Sequence, residues 1–343
     1  MHDRRIGIAV LGTGRIGRLH AENLAHRFAA LAELRVVADA RLETAREVAA
    51  QCGAPRITAD WREAIADPAV QAVVVCTPTD THAPIVEAAA AARKHIFCEK
   101  PLALDLARTE SAVAAAGRAG VLLQVGFNRR FDPSFERLAR GVRSGEIGTP
   151  QLLRITSRDP EPPPLDYVRS SGGLFLDMAI HDFDMARFVT GDEVVEVHAV
   201  GAALVDPEIG RAGDVDTAVV TLRFAGGALG AIDNSRRATY GYDQRVEILG
   251  SRGALVAGHR GPTQVSRWDA TGLSSDRPHH FFIERYSDAY VAEMRAFLES
   301  VRDGGVPPVG GADALQALRI ALAARQSLAE GRPVRIALAE VAG

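Results

Sequence analysis

The sequence predicts an N-terminal α/β domain built on a doubly wound parallel (Rossmann) sheet, followed by an α+β domain with a mostly antiparallel sheet. Three observations predict it. The chain has 343 residues, long for one core and suited to two. Over the first 125 residues, short and almost wholly apolar runs alternate with helical patterns, as expected when helices cover both faces of a sheet. After that point, longer strand patterns are separated by Gly-Gly and similar turns, which favours antiparallel pairing. The expected division is 1–125 and 126–343.

In order, "RIGIAVLG" reads as a strand ended by glycine, and "RIGRLHAENLAHRF" as a helix with apolar spacing at Ile16, Leu19, Leu24 and Phe28. "LRVVAD" is a strand, and "LETAREVAAQC" and "DWREAIAD" are helices. "AVVVCT" is a strand, "HAPIVEAAAAA" a helix and "KHIFCEKP" a strand stopped by proline. "LARTESAVAAAGRAG" and "VLLQVGF" complete the alternation. In the second domain a helix at "PSFERLARGVRSG" precedes a strand at "QLLRITSR" and a proline-rich loop, "DPEPPPLDYVRSSGG". A helix over "GGLFLDMAIHDFDM" comes next, then five strand patterns from "VVEVHAVGAAL" to "GALVAG". Two long helices, each ended by glycine, close the chain.

Hydrophobic residues make up 47% and charged residues 24%, a globular balance, and the net charge of −3 carries no nucleic-acid or membrane-surface footprint. No apolar run approaches the ~20 residues needed to span a bilayer. Cys52, Cys76 and Cys98 are far apart and form no C-x-x-C, so they read as reduced thiols of a cytoplasmic protein.

"GTGRIG", Gly12 to Gly17, matches G-x-G-x-x-G between a strand and a helix. Gly12 permits the tight turn, Gly14 lets a pyrophosphate approach, and Gly17 lets helix and strand pack closely. The N–H groups of Arg15, Ile16 and Gly17 then open the helix at the phosphates. Asp39 closes the next strand, where a carboxylate accepts both ribose hydroxyls of NAD and repels the extra phosphate of NADP. Arg41 nearby is the one residue that favours NADP; Asp39 is closer, and NAD is the expected cofactor. Thr77 and Glu99 lie at further strand ends and join the cofactor-binding set. Beside Glu99, Lys100 reaches the crevice side of the sheet, where ligands bind in such folds.

Along an α-helix at about 100° per residue, Asp177, His181 and Asp184 fall within about 60° of one another, with Asp182 pointing elsewhere. Such a face could line a site, bind a metal through Asp-x3-His, or be solvated. No third ligand cluster is evident in the sequence and a crevice lysine opposes a bound cation, so no metal is expected.

Taken together, "GTGRIG", "CEKP" and GG-x3-D-x3-H-x2-D resemble the Gfo/Idh/MocA oxidoreductases over essentially the whole chain. "VGFNRRFDPSF", "ITSRDPEPPP" and "NSRRATYGYDQRVEILGS" are similar to the branch of that family acting on inositols. The resemblance implies a Rossmann domain, an open-faced second sheet and a homotetramer formed through those sheets. It implies a catalytic set at Lys100, Asp177 and His181. It also implies substrate-hydroxyl contacts at Arg129, Asp159, Asp184 and Tyr242. Asp159 stands where some relatives have asparagine, and Ser157 where some have histidine. The implied activity is NAD-dependent oxidation of a cyclic polyol in inositol catabolism, myo-inositol to its 2-keto product. Another inositol isomer or a pyranose is the alternative.

The residue types suit that chemistry. Oxidising a secondary alcohol removes the hydroxyl proton while hydride leaves carbon, so a base and a cationic donor both help. Imidazole, with a reference pKa of about 6.5, suits the base. Asp177 can accept from its other nitrogen, and Lys100 can donate to the developing alkoxide. A non-catalytic nucleotide-binding sensor is the reading from another class; it predicts a broken Lys–Asp–His set, and here all three residues are present.

Overall fold

The computed structural model describes residues 5–337. The chain forms two compact units. One comprises the residues up to Asn128 together with Tyr290–Leu318; the other comprises Arg129–Ala289 and the residues from Arg319 on.

The first unit holds a six-stranded parallel sheet: β1 (Ile6–Leu11), β2 (Ala32–Ala38), β3 (Arg56–Thr58), β4 (Ala72–Val75), β5 (His95–Glu99) and β6 (Leu123–Gly126), in the order β3-β2-β1-β4-β5-β6. The order reverses between β1 and β4, which opens a crevice at their carboxyl ends. β1 and β4 are buried along their whole length, which explains their unbroken apolar runs. Ile8, Val10, Val37, Val74 and Phe97 of the sheet pack with Leu24 and Val48 of the flanking helices. Met294, Phe297 and Leu298 join this core from the helix Ser287–Asp303. The first unit therefore takes back a late segment that the sequence assigns to the second.

The second unit is built on a seven-stranded sheet: β7 (Pro150–Arg158), β8 (Val194–Ala202), β9 (Thr217–Phe224), β10 (Leu229–Ser235), β11 (Asp243–Gly250) and β12 (Gly253–Ala257), with a short edge strand, Val334–Arg335. Its pairings are antiparallel except β7 with β10. Burial alternates strictly along β9 from Ala218 to Phe224, so one sheet face is covered and the other open. The helices Pro133–Arg143 and Ile180–Thr190 pack together, and the latter also packs on β7. Asp132 caps the first of these helices by accepting from the N–H groups of Ser134 and Phe135. Its other oxygen takes Arg285 at 2.5 Å, a pair only 2% exposed on each side.

Two local features depart from the sequence reading. The proline-rich stretch contains a helix, Leu165–Ser171, which begins just after Pro164. The segment expected as one α-helix is a π-helical turn, Leu174–Met178, leading into an α-helix that starts at Ile180. A π-turn is wider than an α-turn, so the angles of a continuous helix do not hold from Asp177 to Asp184.

Candidate active site

The glycine turn of the first unit meets the steric demands of a dinucleotide. Gly12 has φ +89°, and a Cβ there would lie 2.6 Å from the Cys76 backbone. A Cβ on Gly17 would lie 1.9 Å from the Gly12 carbonyl oxygen. Around a Cβ on Gly14 there is nothing within 4 Å, which leaves that side open to a phosphate. Gly14 is also the N-cap of the helix Arg15–His26 and provides no capping side chain, so the first-turn N–H groups are available to an anion.

Asp39, expected to receive a ribose, is held in place by its neighbours. Its Oδ2 accepts from both the N–H and the hydroxyl of Thr13 at 2.7 Å, and its Oδ1 accepts from Arg41 N–H at 2.8 Å. Burial pushes the carboxyl up, but these donors outweigh it and hold Asp39 below the usual carboxylate range. Thr77 is fixed through His82. That ring lies between the carbonyl oxygens of Thr77, 2.7 Å from Nε2, and Pro101, 2.8 Å from Nδ1.

Glu99 turns toward a partner that the sequence did not suggest. His20 Nε2 lies 2.9 Å from its Oε1. Glu293, fully buried, lies beside them, 4.0 Å from the same nitrogen. Burial, and then the Glu99 charge, raise the Glu293 carboxyl well above the usual range. Lys100 follows directly at the end of β5 and is partly buried.

In the second unit a set of buried polar groups converges. Asp177 Oδ1 accepts from the Tyr167 hydroxyl at 2.8 Å, and its Oδ2 lies 3.6 Å from Arg236 Nη1. Asp182, which the helical spacing pointed away from the site, is fully buried and central: it takes Arg129 Nη1 at 2.5 Å and Asn234 Nδ2 at 2.8 Å. Arg129 also reaches the Ser157 and Tyr242 hydroxyls, each at 3.4 Å. Asp159 is tied to the turn after β10: its N–H donates to Ser235 and its carbonyl accepts from Ala238. Its carboxyl is pushed up to about 6 by burial, with Arg236 opposing the rise and Asp177 adding to it. His181 is partly buried in the first turn of its helix.

Asp184, expected among the substrate contacts, has a charged partner of its own. It is fully buried and gripped from both sides by Arg130, with Nε to Oδ2 at 2.8 Å and Nη2 to Oδ1 at 2.6 Å. A bidentate pair of this kind fixes the arginine and takes one acceptor position on each carboxylate oxygen. Sequence reasoning missed Tyr167, Asn234 and Arg236, and placed Asp182 off the site. Only "NSRRA" offered a signal, as an arginine pair at a strand end.

The strand order, the glycine turn and Asp39 define an oxidoreductase that binds NAD. The chain belongs to the GFO/IDH/MocA oxidoreductase family. Residues 6–127 match its oxidoreductase domain, the NAD-binding Rossmann fold, and residues 135–256 match the GFO/IDH/MocA C-terminal domain. The chain is 52% identical to myo-inositol 2-dehydrogenase of Thermotoga maritima, covering 96% of this chain and 98% of that protein. To inositol 2-dehydrogenase of Rhizobium meliloti it is 46% identical, with 97% and 99% covered. The scyllo-inositol dehydrogenase of Lactobacillus casei, solved with NAD(H) and scyllo-inositol, superposes with a TM-score of 0.90 at 29% identity, with 97% and 99% covered.

Proposed function

We propose that the protein oxidises one ring hydroxyl of an inositol to a ketone with NAD, and that myo-inositol, giving the 2-keto product, is its substrate in inositol catabolism. The observation that carries this reading is the cluster of buried Arg129, Asp182 and Tyr242 with the partly buried Asp159 and Asp177. Carboxylates, a guanidinium and a phenol in one cluster suit a ring with a hydroxyl on every carbon and oppose an apolar ligand. The names of the relatives support the same substrate class.

NAD, held by the glycine turn, Asp39 and Thr77, supplies the carbon that accepts hydride. The rest of the chemistry belongs to side chains. In this reading His181 takes the hydroxyl proton. Asp177, fixed by Tyr167, orients the imidazole and favours its charged form. Lys100 donates to the oxygen as negative charge develops on it. Arg129, Asp159, Asp184 and Tyr242 hold neighbouring hydroxyls, and Asp184 also fixes Arg130.

We propose further that the protein is a cytoplasmic homotetramer joined through the open sheet face. On that face Val200 sits opposite Val219, and Leu152 lies between Leu229 and Leu249. Val200, Val219, Leu229 and Leu249 are all exposed, as is Val256 on β12 at 64%. Exposed apolar side chains interspersed with the ion pairs Arg158–Asp233 and Arg223–Glu196 suit an association surface. No helix among the described residues is long and apolar enough to cross a membrane.

A second reading, in which scyllo-inositol is preferred, is favoured by the likeness to the Lactobacillus casei protein. Initial rates of NADH formation from myo-inositol, scyllo-inositol and glucose, with NAD and NADP in parallel, test both. The expected result is the highest kcat/KM with myo-inositol and NAD. A preference for scyllo-inositol supports the second reading, and no turnover with any of the three overturns the polyol assignment.

A further inference from the structure

Arg236 follows β10 and is 1% exposed. Its N–H donates to the Asp216 carbonyl at 2.8 Å, which fixes the backbone there. Its guanidinium lies 3.6 Å from Asp177 Oδ2 and 3.9 Å from Asp214 Oδ2. Nε and Nη2 are buried and have no hydrogen-bond acceptor among the described residues. The guanidinium thus acts on these carboxylates mainly as a charge. Burying an arginine with donors unused is costly, yet this one sits where three carboxylates converge. The third is Asp159, for which Arg236 is the strongest influence opposing burial.

The three carboxylates differ in their commitments. Both oxygens of Asp214 accept from Leu174 N–H, at 3.0 and 3.1 Å, at the start of the π-turn. A Cβ on Gly173 would lie 2.6 Å from Asp214 Oδ1, so the backbone of this turn rests directly on the carboxylate. Asp214 therefore fixes the turn that carries Asp177. Tyr167 holds one Asp177 oxygen, and Arg236 faces the other. Arg236, Asp177, Arg129 and Asp182 are the charged groups that act most strongly on Asp159. Around Asp159 these are two cations against three carboxylates, Asp159, Asp177 and Asp182, so losing Arg236 increases the excess of negative charge.

We infer that Arg236 is a positioning residue of this oxidoreductase: with Tyr167 it orients Asp177, and it supplies the counter-charge that Asp159 needs to act as an anion. The inference rests on the proposed reading that these carboxylates serve the substrate. It assigns Arg236 no contact with substrate; the residue works through Asp177 and Asp159.

The test compares wild type, Arg236→Met and Arg236→Lys as full chains. In the methionine variant, kcat with myo-inositol and NAD falls about 10- to 100-fold while KM for NAD holds, because removing the partner of a buried charged group costs one to two powers of ten. The acid limb of kcat/KM moves up by about one pH unit or more, the direction expected when a cation beside a carboxyl is lost. Lysine restores the position of the limb but only part of kcat, since one ammonium cannot face Asp177 and Asp214 as a planar fork does. A substrate-free readout runs in parallel: carboxyl 13C NMR of Asp159, assigned with Asp159→Asn. Its midpoint, about 6 in the wild type, rises in Arg236→Met and is held in Arg236→Lys. If the methionine variant does not fold, the lysine variant alone decides, and wild-type kcat in it overturns the orienting role. An unmoved Asp159 midpoint in the methionine variant overturns the counter-charge role. The NMR measurement needs no turnover, so its failure is distinct from a wild type inert to every inositol, which sinks the functional reading instead.

Discussion

Replacing His181 or Lys100 by alanine lowers kcat with myo-inositol and NAD by about 10²- to 10⁴-fold, the usual contribution of a positioned acid–base group. The dissociation constant for NAD changes little. The two quantities separate because the residues that present the pyrophosphate and ribose sites, Gly12, Gly14, Gly17 and Asp39, lie on other elements of the first unit. His181 belongs to the helix Ile180–Thr190 and Lys100 to the end of β5. Groups that act on one proton and one oxygen form a unit, so the double variant loses scarcely more than either single one. Turnover measured at saturating NAD, with calorimetry for NAD binding, checks both statements. Wild-type rates in either variant would remove that residue from the catalytic set, and a wild type without turnover would assign the chain to the non-catalytic sensor class. Loss of NAD binding together with rate would instead give the residue a structural role.

The second large effect concerns the cofactor. Asp39→Ser weakens NAD by about 10- to 100-fold, since hydrogen bonds to a charged group are worth ~1.5–3 kcal/mol each. It also raises the tolerance for NADP. The wild-type carboxylate is held ionised by Thr13 and Arg41, and it repels a 2′-phosphate from the position the ribose must take. Serine removes that charge, while Arg41 remains two residues on as a partner for the phosphate. The ratio of kcat/KM for NAD to that for NADP, measured in both proteins, is the readout. An unchanged ratio would mean that the selectivity resides elsewhere than in Asp39.

The contrast between these two predictions follows how the features were encoded. The glycine turn and Asp39 are local: strand, turn, helix and acidic residue follow in order, and each imposes its own pattern on the sequence. The buried strands β1 and β4 were legible because a strand covered on both faces must be apolar throughout. Groups brought together over long separations left no such mark. Nothing near residue 129 announces Asp182, and nothing near residue 177 announces Arg236, because a buried ion pair constrains its two members only in space. The return of Met294 and Phe297 to the first core was hidden for the same reason: an amphipathic helix shows that it has an apolar face, but not what covers that face. Three prolines concealed the helix Leu165–Ser171, which starts just after the last of them, and with it the tyrosine that holds Asp177. A π-turn has no sequence signature comparable to a helix cap. The angular argument for Asp177, His181 and Asp184 therefore assumed a regularity that the backbone does not keep.

The central claim is that a ring carbon gives its hydrogen, with both electrons, to NAD. myo-Inositol carrying deuterium at carbon 2 tests it directly. The expected result is one deuterium in the reduced cofactor, a ketone product without the label, and slower turnover wherever that transfer limits the rate. Unlabelled NADH formed from this substrate, or label retained in the product, would contradict it.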